Sequence, residues 1–313
     1  MTQRSPIASS LSGPLHLTAV RSRFRTRLIL QPTQLYGVIG HPVQHSLSPA
    51  MHNAAFAALR WPGIYLAWDI LPSAVGNWIA VAHALGVQGF NVTVPHKEHV
   101  AHVLGGTALS PEARLVGAVN TVVQQRGGWV GHNTDAHGFL EALRQDVQWR
   151  PRGRRVVLLG AGGAARAVAV ALVRGGARVT IANRTASRAR ALARWISRRV
   201  PRASLHTVSW RAAAIGASLA EADLLVNATS LGLRAGDRLP VAAADLRRHL
   251  VVYDLVYGRR PTWIVVQAQR RGLVASDGLG MLLYQGARAF ELWTGRKAPV
   301  DMMRRALRAR LTT

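Results

Sequence analysis

Cysteine is absent from the 313 residues, which excludes disulfide scaffolds, zinc ribbons, iron–sulfur clusters and thiol nucleophiles together. Acid is scarce: 14 Asp+Glu stand against 40 Lys+Arg, a formal charge of +26 at pH 7. Lysine is scarcer still, being confined to Lys97 and Lys297, so arginine carries almost all of the positive charge. No apolar run approaches the ~18 residues of a membrane span, and none is expected. Charged residues make up only 17% of the chain and hydrophobic ones 49%, which excludes global disorder and fibrous repeats. At roughly 150 residues per domain, the length fits about two domains with cores of their own.

A charge of this size raises nucleic-acid binding as a first possibility. The arginines, however, are spread over several groups: Arg21 to Arg27, Arg150 to Arg155, Arg188 to Arg202 and Arg304 to Arg310. Neither zinc-finger spacing nor an aromatic RNA-binding motif accompanies them. A compositional bias with incidental polyanion affinity is the preferred reading, and no specific nucleic-acid partner is expected. Residues 1–33 contain no acid and little periodicity, and they lack the apolar core of a secretory signal. Their composition is that of a transit peptide, but a disordered N-terminal extension or an over-long start assignment is the preferred reading.

From Tyr36 the pattern is βα. Strands are expected at 36–40, 64–70, 89–94 and 118–123, and helices at 48–59, 73–85 and 136–147, with Ser48 as N-cap and Pro49 in the first helical position. The polar, basic break at 148–154 marks a domain boundary. A second βαβ series follows, with strands at 155–159, 178–181, 224–226 and 250–253. Strands alternating with helices of ten to fifteen residues imply an α/β fold whose parallel sheets are covered on both faces.

Gly160-Ala161-Gly162-Gly163-Ala164-Ala165 follows a predicted strand and opens a helix. The spacing fits a dinucleotide turn: Gly160 for the tight bend, Gly162 for close backbone approach to pyrophosphate, Ala165 for packing of helix on strand. The helix N-terminus offers free N–H groups and a positive dipole end. An NAD site calls for an acid at the end of the next strand. Here stand Asn183-Arg184-Thr185 and then Arg188, a corner suited to a 2′-phosphate, so NADP is expected.

Ser46 and Ser48 lie at a strand-to-helix corner and could hold a carboxylate, Ser48 while also capping its helix. His41, His45 and His52 span a strand, a loop and a helix with no carboxylate among them, so no metal site is expected. Asn91-Val-Thr93-Val-Pro-His-Lys97 closes a strand and points polar groups into a cleft. In a chain that uses arginine almost everywhere, Lys97 reads as a proton-transfer group, because a guanidinium cannot usefully release its proton. Asp135 in Asn133-Thr-Asp135 supplies an acid near the boundary, either to work with Lys97 on a hydroxyl or to cap the following helix.

Taken in order, His-Ser-x-Ser-Pro-x-x-His-Asn at 45–53, Asn-Val-Thr-x-Pro-x-Lys at 91–97, Gly-Ala-x-Asn-Thr at 117–121, Asn-Thr-Asp at 133–135, Gly-Ala-Gly-Gly-Ala at 160–164, Asn-Arg-Thr at 183–185, Asn-Ala-Thr-Ser-x-Gly at 227–232 and Asp-Gly-Leu-Gly-Met-Leu at 277–282 resemble the shikimate dehydrogenase family. The resemblance runs from about residue 34 to the C-terminus. It implies NADP-dependent interconversion of 3-dehydroshikimate and shikimate by hydride transfer, in chorismate and aromatic amino acid biosynthesis. It further implies that Ser46, Ser48 and Tyr257 hold the substrate carboxylate, that Thr93, Asn120 and Gln285 bind ring hydroxyls, and that Lys97 and Asp135 flank the reacting oxygen. Gly160, Ala161, Gly162, Gly163 and Ala164, with Asn183, Arg184, Thr185 and Arg188, would hold the cofactor phosphates. Thr229, Leu255, Gly278 and Met281 would lie along its ribose and nicotinamide.

The same resemblance implies two α/β domains with a cleft between them. A substrate domain of 34–135 plus about 280–313 would be interrupted by a Rossmann-type domain of 136–279. A cytoplasmic enzyme is expected, with a homodimer as one form it could take. The rival readings are a quinate/shikimate enzyme preferring NAD, a basic nucleic-acid-binding protein on a Rossmann scaffold, and an inactive relative used as a binding module. The Asn183-Arg184-Thr185 corner speaks against the first, and the ordered motifs with Lys97 and Asp135 speak against the others.

Overall fold

The computed structural model describes residues 33–234 and 236–312; apart from Thr33, the reading of 1–33 as an extension lies outside them. A first sheet comprises β1 (Gln34–Gly40), β2 (Gly63–Asp69), β3 (Val87–Val92), β4 (Thr121–Gln125) and β5 (Gly128–His132). Its connections carry the helices α1 (Ser48–Ala58), α2 (Val75–Ala84), α3 (Lys97–Leu104) and α4 (Pro111–Val116). After α5 (Asp135–Asp146) come β6 (Arg155–Leu159), α6 (Gly163–Arg174), β7 (Arg178–Ala182), α7 (Ala186–Ser197), β8 (Ser204–Val208), α8 (Ala212–Leu219), β9 (Leu224–Asn227), β10 (Val251–Asp254), α9 (Trp263–Arg270) and β11 (Ala275–Ser276). The chain ends in α10 (Leu279–Thr294) and α11 (Val300–Thr312).

The second sheet, ordered β11-β10-β9-β6-β7-β8, is parallel throughout. Its central strands are continuous apolar runs: Val156 to Leu159 and Leu224 to Val226 are buried on both faces, as a sheet covered on two sides requires. The first sheet, ordered β2-β1-β3-β4-β5, departs from the all-parallel expectation. Strands β1, β2 and β3 run parallel, but β4 is antiparallel to both β3 and β5. Only Arg126 and Gly127 separate β4 from β5, and so short a connection can join only antiparallel neighbours. Sequence periodicity also missed β5, β8 and β11; β8 carries a polar Ser-Leu-His-Thr-Val pattern and β11 is two residues long.

The start of α1 differs in detail from expectation. Leu47 occupies the N-cap position with no side-chain cap, and Ser48 is the first helical residue. Ser46 Oγ accepts from the Ser48 backbone N–H at 3.3 Å, so the hydroxyl two residues earlier serves the exposed donor.

Helices α10 and α11 return to the first sheet. Helix α10 packs on α5, α1 and β4, and α11 lies against α1. The seam between α5 and α10 is close because Gly138 has no side chain: a Cβ there would stand 2.6 Å from the backbone nitrogen of Gln285. Elsewhere in a helix, replacing glycine by alanine gains up to ~1 kcal/mol. Here overpacking reverses the sign. Gly138→Ala is expected to destabilise the protein by ~1–3 kcal/mol in urea unfolding, and a stabilised variant would show that the helices are free to separate.

Candidate functional site

Lys97 begins α3 just beyond β3, and Asp135 begins α5 just beyond β5. Lys97 Nζ donates to Asp135 Oδ2 at 2.7 Å, with the two side chains 14% and 4% exposed. The other oxygen, Oδ1, accepts from Asn120 Nδ2 at 2.9 Å. Asn120 Nδ2 also lies 3.1 Å from Gln285 Oε1 on α10 and 2.9 Å from Thr134 Oγ1, while its Oδ1 accepts from the Thr134 backbone N–H at 2.7 Å. Four of the residues named from sequence, Lys97, Asn120, Asp135 and Gln285, thus form one bonded cluster.

Sequence reasoning assigned no role to the layer beneath. Tyr65 Oη donates to Asn91 Oδ1 at 2.7 Å, and Asn91 Nδ2 donates to the Asn120 carbonyl at 3.1 Å and to Thr121 Oγ1 at 3.0 Å. Asn91 stood in plain view in its motif. Tyr65 lies in an unremarked strand, and only its pairing across the sheet gives it a part.

No hydrogen bond among the described residues joins Ser46, Ser48, Thr93 or Tyr257 to the Lys97–Asp135 pair. Ser46 is half-buried and Ser48 buried at the start of α1. Thr93, half-buried, follows β3 and donates its backbone N–H to Ile39 at 2.9 Å. Tyr257 is half-buried beyond β10, and burial raises its phenol pKa. A cavity of about 600 Å³ lies behind the cluster, lined by residues including His132, Thr134, His137, Arg174 and Arg288 and by none of the residues assigned to the site. The reactive cluster is therefore not its floor.

The glycine turn behaves as its spacing requires. Gly160 has φ +115°, and a Cβ there would stand 2.7 Å from the Ala228 carbonyl oxygen. Gly162 is the N-cap of α6, with no side chain capping the helix and no acid in its first turn. Nothing lies within 4 Å of where a Cβ on Gly162 would stand. Free helix N–H groups facing open space fit a pyrophosphate. Ala161 is buried and Ala164 half-buried behind them. A Cβ on Gly163 would stand 3.1 Å from Lys97 Cβ, so the turn meets the Lys97–Asp135 cluster directly.

The corner expected to take a 2′-phosphate lies at the carboxyl end of β7. Asn183 Nδ2 donates to the Thr185 carbonyl at 2.9 Å, and Arg184, Thr185 and Arg188 are exposed. Thr229 follows β9, its Oγ1 donating to Asn227 Oδ1 at 2.7 Å. Leu255 follows β10, Gly278 packs on the Leu255 carbonyl, and Met281 is buried in the first turn of α10. These positions line the carboxyl ends of neighbouring parallel strands, where open α/β sheets bind dinucleotides.

Comparison with known proteins agrees with this arrangement. The family model for the shikimate dehydrogenase substrate binding domain matches residues 38–122, that for shikimate/quinate 5-dehydrogenase 142–254, and that for the shikimate 5′-dehydrogenase C-terminal domain 278–308. The NADP(+) shikimate dehydrogenase of Methanopyrus kandleri is 46% identical over 278 residues, 88% of this chain and 95% of the relative. The shikimate 5-dehydrogenase of Thermus thermophilus, solved with NADP(H) and shikimate, is 41% identical with TM-score 0.77, covering 88% of this chain and 99% of its own. The quinate dehydrogenase of Corynebacterium glutamicum, solved with NAD, is 33% identical with TM-score 0.81, covering 88% and 99%.

His52, on α1, stacks on Tyr65 with ring centroids 4.4 Å apart, fully buried, and neither ring nitrogen has a partner that meets hydrogen-bond geometry. Burial pushes its pKa from 6.5 down to about 3, nearby Asn91 offsetting part of that. The folded state therefore resists the proton that the unfolded chain accepts. The stability contributed by this group is present above pH ~6.5 and is lost as pH falls toward ~3, at up to ~1.4 kcal/mol per unit. Urea midpoints measured across that window should fall steeply for the native protein and less steeply for His52→Gln. Equal slopes would mean that the ring is reached by solvent protons.

Proposed function

This chain belongs to the shikimate dehydrogenase family, and on that premise we propose how its residues divide the work. It is an NADP-dependent oxidoreductase that reduces 3-dehydroshikimate reversibly to shikimate, in chorismate and aromatic amino acid biosynthesis. The observation that carries the assignment of residues is the Lys97–Asp135 hydrogen bond, set in a buried amide network and touching the dinucleotide turn.

NADPH, when bound, supplies the hydride to the carbonyl carbon. Lys97 Nζ delivers the proton to the carbonyl oxygen as the carbon–oxygen double bond becomes a hydroxyl, and its positive charge stabilises the oxyanion as it forms. Asp135 holds the ammonium in place and accepts a hydrogen bond from the substrate hydroxyl, while in the reverse direction neutral Lys97 takes the proton back. Gln285 turns its remaining donor and acceptor toward ring hydroxyls, and Asn120, whose amide nitrogen already serves three acceptors, exchanges one of them for a ring hydroxyl, with Thr93 beside them. Ser46, Ser48 and Tyr257 hold the carboxylate. Gly160 to Ala164 receive the pyrophosphate, Asn183 to Arg188 the 2′-phosphate, and Thr229, Leu255, Gly278 and Met281 the ribose and nicotinamide.

The proposal extends to organisation. A substrate domain of 34–135 plus about 280–313, interrupted by a cofactor domain of 136–279, is supported by the packing of α10 and α11 on α1. A homodimer is supported by β2, an edge strand with Ile64 and Leu66 exposed. A cytoplasmic place rests on the family; among the described residues no helix is long and apolar enough to cross a membrane.

The test is nicotinamide absorbance with shikimate or quinate and NADP or NAD. Shikimate turnover with NADP preferred is expected; quinate turnover with NAD would move the chain to the sister activity. Lys97→Ala should lower kcat by about 10²–10⁴-fold while KM changes little, and a near-normal kcat would remove Lys97 from the proton path. Arg184→Ala should weaken NADP and leave NAD alone; equal losses would overturn the 2′-phosphate assignment.

A further inference from the structure

The residue after Lys97 faces the cofactor corner. Glu98 Oε1 lies 3.9 Å from Arg188 Nη2, and its Oε2 lies 3.9 Å from Arg166 Nη1. The two arginines stand in the first turns of α7 and α6. Arg166 is held independently of Glu98: its Nε donates to the Val116 carbonyl at 3.0 Å, and its guanidinium sits 5.0 Å over the Trp195 ring. For Arg188, 59% exposed, Glu98 is the one ion-pair partner among the described residues.

Resting on the reading of the Asn183–Arg188 corner as the 2′-phosphate seat, we infer that Glu98 determines cofactor specificity by competing with the 2′-phosphate for Arg188. The phosphate brings nearly two negative charges at neutral pH and asks for a guanidinium fork. When Arg188 turns to it, Glu98 keeps only Arg166, and its carboxylate stands as a like charge beside the incoming anion. NAD, with a hydroxyl in that place, makes no such demand. Glu98 cannot retreat far, since it shares the first turn of α3 with Lys97. The carboxylate therefore weakens NADP selectively, and the enzyme's preference for the phosphorylated cofactor is smaller than its arginines alone would give. The pair is exposed, so the effect is modest and salt-sensitive.

Dissociation constants for NADP+ and NAD+ by titration calorimetry, on the native protein, Glu98→Gln, Arg188→Ala and the double variant, test this. Glu98→Gln should bind NADP+ about two- to fivefold more tightly at low salt with NAD+ unchanged. In the Arg188→Ala background that gain should vanish. A weaker or unaltered NADP+ affinity in Glu98→Gln, an equal change in both nucleotides, or a gain that survives without Arg188 overturns the role of Glu98. Arg188→Ala binding NADP+ as the native protein does would instead overturn the corner on which the inference rests.

Discussion

A carboxylate as buried as Asp135 must have both oxygens satisfied, because an unpaired charge or lone pair in that position costs several kcal/mol. One oxygen takes Lys97 and the other takes Asn120, so the arrangement of the first sheet follows from bringing those groups together. The antiparallel hairpin does most of this. Thr121 at the start of β4 pairs with His132 at the end of β5, so Asn120, just before the one strand, meets Asn133 to Asp135, just after the other. A parallel crossover in the same place would have left them at opposite ends of the two strands. Lys97 arrives from β3, the next strand over, and Gln285 arrives from α10, which approaches α5 closely because Gly138 leaves room.

This dependence explains which parts were legible in the sequence. The parallel βα units announced themselves, since their strands are apolar runs bounded by glycine or proline and their glycine turn has a fixed spacing. Lys97 and Asp135 could be picked out by residue type, the lysine for its rarity and the aspartate for its place near a boundary. Their contact could not, because 38 residues and a change of strand direction separate them. The hairpin hid behind Arg126-Gly127-Gly128, a turn with no asparagine or aspartate to mark it. Tyr65 and Asn91 hid for a different reason: each sits in an ordinary strand, and their hydrogen bond spans β1, the strand between them. Glu98 carries no signal in the sequence, and only the placing of α6 and α7 opposite it gives it Arg166 and Arg188 as partners. The Ser48 cap was misplaced by one residue, the usual uncertainty of a helix end.

The charge distribution follows the same division. No arginine stands between Arg60 and Arg114, the stretch that contributes β2, β3 and Lys97, and no acid stands between Asp146 and Glu221, the stretch that contributes the glycine turn and the Asn183–Arg188 corner. A uniform compositional bias would have spread both. The effect is an excess of positive charge along the stretch proposed to take the cofactor phosphates, with Glu98 the acid that reaches across to it.

With 14 acids for 40 basic residues, most arginines must find partners that are not carboxylates. Guanidinium groups do this through rings and carbonyls. Arg199 lies 3.4 Å over the Trp195 ring, Arg238 5.3 Å over Trp263 and Arg296 5.3 Å over Trp61, while Arg114 and Arg166 donate to main-chain oxygens. A planar, weakly hydrated cation with five donors suits such contacts better than an ammonium, which accounts for the scarcity of lysine. The same reasoning sharpens the exception at position 97. An arginine there could pair with Asp135 bidentately, and pairing alone would favour it. It could not release a proton near neutral pH, whereas an ammonium can. On the proposed mechanism, then, proton transfer and not the ion pair is the reason for a lysine facing Asp135.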